Sequence, residues 1–392
     1  MNEANTRCCM RYEKNTLPVV AHVLIVCVGV LLALGMVSLY SASMTLKGAQ
    51  LVQQQLMWCG LGLVAATLCA AMDYRRWRKM ALPLAILAMV ALLLVFVPGL
   101  GKTIKGARRW IHIGPVNFQP SELAKLAAII ALAAYAEFRQ RRMGNFKEGL
   151  LIPGIYLAVV AGLILLGRDY GTTLLFLSVA GVMLLVAGVR WRFVLPIGLL
   201  VLAGFAAAIW NNDVRRTRIL SFLYPERYAE TTGYQSCQAL LAFGSGGIEG
   251  RGLGNGLQKT FVPEVHTDFV LATVGEELGV KGSLAVVVAF IVVMICGVAI
   301  AERAADPFGM YLAFGITTMI GLQAFVNIAV VTSLLPNKGL PLPFISYGGS
   351  NLLMMMISVG ILLSIARQGV ELEVGPVNPF EGETAEAGEG RI

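Results

Sequence analysis

The chain has 392 residues, 57% of them apolar and only 14% charged, with a formal net charge of +8. Ordinary soluble domains carry about 25% charged residues, so this composition, with a mean hydropathy of +0.73, excludes a soluble globular enzyme. It equally excludes a mostly disordered chain. The expected fold class is an all-α integral membrane protein, in which Lys and Arg report topology and headgroup contacts rather than nucleic-acid binding.

The first 16 residues read as a cytoplasmic leader bearing Arg7, Arg11 and Lys14. Nine stretches of at least 19 residues then lack Asp, Glu, Lys and Arg: 15–46, 48–72, 80–101, 149–167, 170–189, 193–212, 282–301, 307–337 and 339–366. About 20 apolar residues cross a bilayer core. A tenth apolar segment, about 120–138, is interrupted near its start by Glu122 and Lys125. Lipid requires internally satisfied backbones, and alternating strand patterns are absent, so ten transmembrane helices are expected within a membrane domain at 17–367. The first is too long for a signal-peptide core, and more spans follow it.

Basic residues after even-numbered spans set the orientation. Arg75, Arg76, Arg78 and Lys79 follow the second, Arg139 to Lys147 the fourth, Arg190 and Arg192 the sixth, Arg303 the eighth and Arg367 the tenth. These loops, and both termini, are expected to be cytoplasmic. A large extracytoplasmic loop, about 213–267, joins helices 7 and 8. Residues 368–392 read as a disordered acidic tail, with six Glu from Glu371 onward. The seven cysteines form no disulfide framework, because most lie in apolar runs or the leader.

The short connection after the third span carries Lys102, Lys105, Arg108 and Arg109 on the outer side. A basic cluster kept against the topology signal points to an anionic outer ligand, either a specific one or lipid headgroups in general. Glu122 and Lys125 follow at i and i+3 on one helix face, where intramembrane charge is expensive. They read as a functional pair, or as a snorkelling Lys satisfied by its own Glu. Arg168-Asp169-Tyr170-Gly171-Thr172 forms a tight turn, for which local reasons suffice. Residues 231–248 look interfacial or re-entrant. The glycines from Gly244 to Gly256 serve either a phosphate or turns, and no P-loop motif exists. Asp268, where the large loop re-enters the membrane, is a candidate general base or a helix N-cap. Glu276 is expected to hold Lys281 or a basic loop in place. The connection from Leu335 to Ser350, with three prolines and irregular backbone, lines a cavity or forms a rigid plug.

Seven motifs in this order resemble the SEDS family (shape, elongation, division, sporulation) of peptidoglycan polymerases. They are Ser41-Ala42-Ser43, Gly106 with Arg109-Trp110, Gln119-Pro120-Ser121-Glu122, Asp169-Tyr170-Gly171-Thr172, Pro263-Glu264 with His266-Thr267-Asp268-Phe269, Gly275-Glu276-Glu277-Leu278-Gly279 and Ser346-Tyr347-Gly348-Gly349-Ser350. Gly252-Leu253-Gly254-Asn255-Gly256 and Pro336-Asn337-Lys338-Gly339 resemble its division branch more than its elongation branch. Arg168, Ser333 and Asn351 depart from the family pattern, which commonly has Pro, Gly and Ser there.

The resemblance implies polymerisation of lipid II into β-1,4 glycan at the outer face of the cytoplasmic membrane, during cell division. Asp268 matches the family's essential acid and would act as general base. Arg109, Lys125 and Arg218 would neutralise the undecaprenyl diphosphate leaving group, with Glu122 orienting Lys125. Lys338 and Ser346 are further substrate-binding candidates. The implied partners are lipid II as donor and acceptor, a class B penicillin-binding protein and other division proteins. No cofactor is evident, and a divalent cation requirement is not readable from the sequence. By composition alone, a lipid II flippase or a non-catalytic division scaffold fits as well.

Overall fold

The computed structural model describes residues 16–43, 50–104, 106–113, 116–262 and 265–374. The leader up to Asn15, the Pro263-Glu264 part of one motif and the tail beyond Val374 lie outside the described residues. The apolar runs form α1 (Thr16–Ser43), α2 (Gln50–Ala71), α3 (Arg75–Leu94), α4 (Pro120–Phe138), α5 (Ile152–Leu166), α6 (Tyr170–Val186) and α7 (Trp191–Trp210). Two short helices follow, α8 (Asp213–Leu223) and α9 (Tyr234–Gly246). Three long ones complete the fold: α10 (Val270–Glu302), α11 (Pro307–Val331) and α12 (Gly349–Val374).

Among the described residues, eight helices are long and apolar enough to cross a membrane: α1, α2, α3, α5 with its preceding π-turn, α7, α10, α11 and α12. Helix α6 is apolar but shorter, and α4 holds Glu122, Lys125 and Glu137 within 19 residues. Helix α12 continues to Val374, past the boundary expected at 367. The hydrophobic core lies where α4, α11 and α12 meet their neighbours, with α2 along α12, α1 and α11 along α10, and α6 along α11. Helix α4 buries Ala124, Ala127, Ala128, Ala133 and Ala136; small side chains let membrane helices approach closely. No residue of α7 is buried, which suits an apolar helix bathed in lipid.

The Arg-rich turns gather at one end of the bundle. Arg75 before α3 pairs with Asp306 before α11 at 3.2 Å, and Arg78 pairs with Glu137 at the end of α4 at 2.9 Å. Arg367 near the end of α12 donates to the Ala71 carbonyl. Gly369 lies against Leu17 at the start of α1 and against the Arg303 carbonyl. The bundle therefore begins and ends on the same side.

The expectation of a purely helical chain needs one correction. The connection between α3 and α4 folds into an antiparallel meander, β1 (Gly101–Ile104), β2 (Ala107–Ile113) and β3 (Val116–Phe118), in the order β1-β2-β3. The strands are too short, and too broken by a bulge between Lys102 and Thr103, to leave an alternating pattern in the sequence.

Helix α10 is kinked at Gly279 (φ 69°, ψ −163°). The kink breaks the helical ladder, and the loop before it repairs the loss. Arg251 N–H donates to Glu276 O, Gly252 N–H to Glu277 O, and Val280 N–H to Gly247 O. Several of the clustered glycines thus serve close backbone packing: a Cβ on Gly250 would lie 2.2 Å from the Glu277 carbonyl oxygen. Glu276 is fully buried and accepts from the N–H groups of Leu257 (2.7 Å) and Gln258 (3.0 Å). It holds the loop as expected, but by main-chain amides; Lys281 pairs with Glu249 instead.

Candidate active site

At the end opposite the Arg-rich turns, the β-bulge decides where Arg109 points. Lys102 pairs with Trp110 and Thr103 with Arg108, so Arg109 is the extra residue, and bulges re-aim side chains. Its Nη1 lies 3.6 Å from Asp169 Oδ1, and its Nη2 donates to the Arg168 carbonyl at 3.0 Å. Asp169 also caps α6 by accepting from Thr172 N–H, and accepts from Gln119 Nε2. The local turn reading of Asp169 is correct, and the same carboxylate anchors Arg109. Arg168 donates back to the Gly106 carbonyl, tying the β1–β2 turn to the α5–α6 turn.

Helix α8, N-capped by Asn212, presents Arg215 and Arg218 at i and i+3. The Arg215 guanidinium stacks on the Tyr170 ring, 3.4 Å from its centroid. Arg218 sits within the electrostatic reach of Arg109, Arg215 and Asp268. Loss of water, then the two neighbouring guanidiniums, push its pKa below the usual arginine value, while Asp268 opposes them. Asp268 is partly exposed just before α10. Beside it runs the loop from Leu335 to Gly348: an added Cβ on Gly339 would lie 2.7 Å from Asp268 Oδ2. Lys338, the preceding residue, is half-buried, and that burial lowers its pKa. Arg109, Arg218 and Asp268 thus share one electrostatic neighbourhood, and the Lys338-Gly339 segment adjoins its carboxylate.

Three other residues expected to meet substrate are buried. Glu122 and Lys125 are 3% and 2% exposed and pair at 2.9 Å. Lys125 also donates to Gln323 Oε1 at 2.8 Å, and Asn351 Nδ2 donates to Glu122 Oε2 at 2.8 Å. The pair is held inside the bundle by partners on α11 and α12. Ser346 is buried and its hydroxyl accepts from Leu342 N–H at 2.8 Å, closing a turn of the loop.

The loop itself is held from three helices, by residues the sequence reading did not single out. Gln323 donates to the Pro341 carbonyl, and Asn327 donates both to the Leu340 carbonyl (2.7 Å) and to the Asp268 carbonyl (2.8 Å). Gln54 accepts from the Tyr347 hydroxyl, Gln55 donates to the Ser346 carbonyl, and Gln235 accepts from Asn337. Amide side chains inside apolar helices were the available signal, since lipid gives them no other reason to be there. The connection has a part for each earlier reading: Leu340 to Ser346 are mostly buried and braced, while Lys338 and Gly339 adjoin the Asp268 carboxylate. Among the described residues, no group of three or more His, Cys, Asp or Glu is gathered to hold a metal ion.

The sequence profile of the FtsW/RodA/SpoVE family, described as "cell cycle protein", matches residues 17–371. A "probable peptidoglycan glycosyltransferase FtsW" of Geobacter metallireducens is 44% identical over 339 residues, covering 85% of this chain and 90% of that one. Stage V sporulation protein E of Bacillus subtilis is 37% identical over 345 residues, 86% of this chain and 94% of that one. Among solved structures, a chain described under "structural coordination of polymerization and crosslinking by a peptidoglycan synthase complex" superposes with a TM-score of 0.75 at 31% identity, covering 88% and 97%. The rod shape determining protein RodA of Thermus thermophilus gives a TM-score of 0.67 at 31% identity, covering 88% and 96%. The profile match over residues 17–371, together with these relatives, shows that the chain belongs to the FtsW/RodA/SpoVE, or SEDS, family, on its FtsW-like side.

Proposed function

We propose that the chain is a peptidoglycan glycosyltransferase that polymerises lipid II at the outer face of the cytoplasmic membrane during division. The observation that carries this reading is the partly exposed Asp268 carboxylate within electrostatic reach of Arg218, in a basic surround that Arg109 and Lys338 extend. An alcohol nucleophile needs a base, and a departing diphosphate needs fixed positive charge. Asp268 takes the proton of the acceptor GlcNAc hydroxyl as its oxygen bonds to the donor MurNAc C1. The bond from C1 to the diphosphate oxygen breaks with inversion, and Arg109, Arg218 and Lys338 face the leaving charge. Glu122, Lys125 and Ser346 serve this site from beneath, by holding α4, α11 and the loop in register.

Ten spans with both termini cytoplasmic are part of the same reading. They are supported by the eight apolar helices together with α4 and α6, and by the common end shared by α1, α12 and the Arg-rich turns. A class B transpeptidase partner fits the synthase-complex likeness, with other division proteins at the same site. The deciding experiment is polymerisation of purified lipid II by the purified protein with its partner. Asp268→Asn should reduce the rate roughly 10²–10⁴-fold while insertion and folding persist, because Asn keeps the shape of the side chain and α10 takes its N-cap from Phe269, not from Asp268 as the capping reading expected. Polymer made by Asp268→Asn at the parent rate would overturn the reading and restore the flippase and scaffold alternatives.

A further inference from the structure

Asp268 is the last residue but one before α10, a position where a short side chain on irregular backbone has several rotamers open to it. Asn327 and Gly339 both bear on it. Asn327, 1% exposed on α11, gives both protons of its amide to carbonyls: one to Asp268 O at 2.8 Å, the other to Leu340 O at 2.7 Å. One side chain therefore staples the main chain that carries the acid to the loop that carries Lys338 and Gly339. Gln323, four residues earlier on the same helix, fastens the next loop residue through the Pro341 carbonyl. The stapled loop brings Gly339 so close that its missing side chain is the space left for the carboxylate, since a Cβ there would lie 2.7 Å from Oδ2. Gly339 is exposed and its φ lies outside the left-handed region. Backbone conformation does not require a glycine at this position; the carboxylate does.

We propose that Asn327 and Gly339 form a positioning clamp for the Asp268 carboxylate, Asn327 fixing its main chain and Gly339 leaving the room in which Oδ2 stays aimed at substrate. The proposal rests on Asp268 being the base. Neither clamp residue touches substrate, so both act through Asp268. An error of about 1 Å in a reacting group costs on the order of 10²-fold in rate.

The test measures kcat and KM for lipid II polymerisation by the complex of the full chain with its partner, together with thermal unfolding in detergent. Gly339→Ala is the cleaner probe: only the mobile end of Asp268 must shift, so folding should be kept. The expected result is kcat lowered roughly 10- to 100-fold, KM within about threefold of the parent and Tm unchanged. Asn327→Ala should lower kcat similarly with KM preserved. Should Asn327→Ala fail to fold, Gly339→Ala decides alone. A parent-like kcat for Gly339→Ala, or a raised KM with kcat kept, overturns the clamp. Asp268→Asn run alongside separates the two failures. If it is inactive while Gly339→Ala is normal, only the clamp falls; if Asp268→Asn itself is active, the base reading falls and the clamp with it.

Discussion

Lys125 and Arg109 carry the same charge, and their surroundings give that charge different work. Lys125 is buried inside the bundle, paired with Glu122 and bonded to Gln323. Removing one partner of such a pair leaves an uncompensated buried charge, at a cost of about 3–5 kcal/mol. Lys125→Met should accordingly lower Tm and the yield of folded protein. The double variant Glu122→Gln/Lys125→Met should recover most of both, because an uncharged pair needs no compensation. Unchanged Tm in the single variant would sink the structural role. Arg109 is one-third exposed and its ion pair is 3.6 Å long. Its removal should move Tm little, since exposed pairs contribute about 0–1 kcal/mol, yet slow polymerisation on the order of 10²–10³-fold. Comparing kcat and Tm for the two single variants separates the roles; a normal rate for Arg109→Ala would end its part in leaving-group stabilisation.

At the level of elements, the kink in α10 is where backbone strain and loop order meet. Gly279 adopts φ 69° and ψ −163°, and a Cβ there would lie 2.4 Å from the Ile248 carbonyl oxygen. Gly279→Ala should cost about 1–3 kcal/mol from the dihedrals alone, read as a lower denaturation midpoint. Glu276→Gln tests the other side of the same joint. It removes the charge that Leu257 and Gln258 N–H groups point at, a loss of about 1–3 kcal/mol. The segment from Arg251 to Val262 should then be cut faster by protease, while α10 itself stays intact. Equal cutting rates would show that the buried carboxylate does not order the loop.

The same elements show what the sequence made legible. Runs free of charge located the long helices because lipid tolerates little else. The Gly279 kink was invisible to that count, since a glycine in an apolar run has many uses. So were Gln323, Asn327 and Asn351, because an uncharged amide does not interrupt a charge-free stretch. The meander around Arg109 was missed because its strands are 3 to 7 residues long and bulged. Asp268 and Arg109 were identified by motif, but their shared electrostatic neighbourhood joins α8, β2 and the approach to α10, which no local spacing reveals. Arg168, in place of the family's Pro, adopts φ 62°, a value a proline ring cannot reach. The Pro that the resemblance leads one to expect at this position would not fit the turn that holds Arg109.

Over the whole molecule, charge is sorted between the two ends of the bundle. One end gathers the turns bearing Arg75, Arg78, Arg139, Arg142, Arg190 and Arg367, several neutralised by Asp306, Glu137 and Glu148. The other holds Arg109, Arg215 and Arg218 in one electrostatic neighbourhood with Asp268. Lys and Arg near span ends are retained on the cytoplasmic side, so the first end should face the cytoplasm. The basic residues of the second end oppose that rule, which a diphosphate ligand explains and topology does not. With α1 starting and α12 ending beside Arg303, an even number of crossings follows; the eight apolar helices satisfy it, and so do the proposed ten, in which α4 and α6 both cross. A reporter that is active only in the cytoplasm should work when fused after Arg367 and fail when inserted at Gly254. A reporter active only outside should show the reverse. If the Arg367 fusion reads outside, the orientation is inverted, and the Asp268 site would face nucleotide-linked precursors rather than outward-flipped lipid II. If both positions read the same side, the number of crossings after Gly254 is wrong, and one of α10, α11 and α12 lies along the membrane instead of through it.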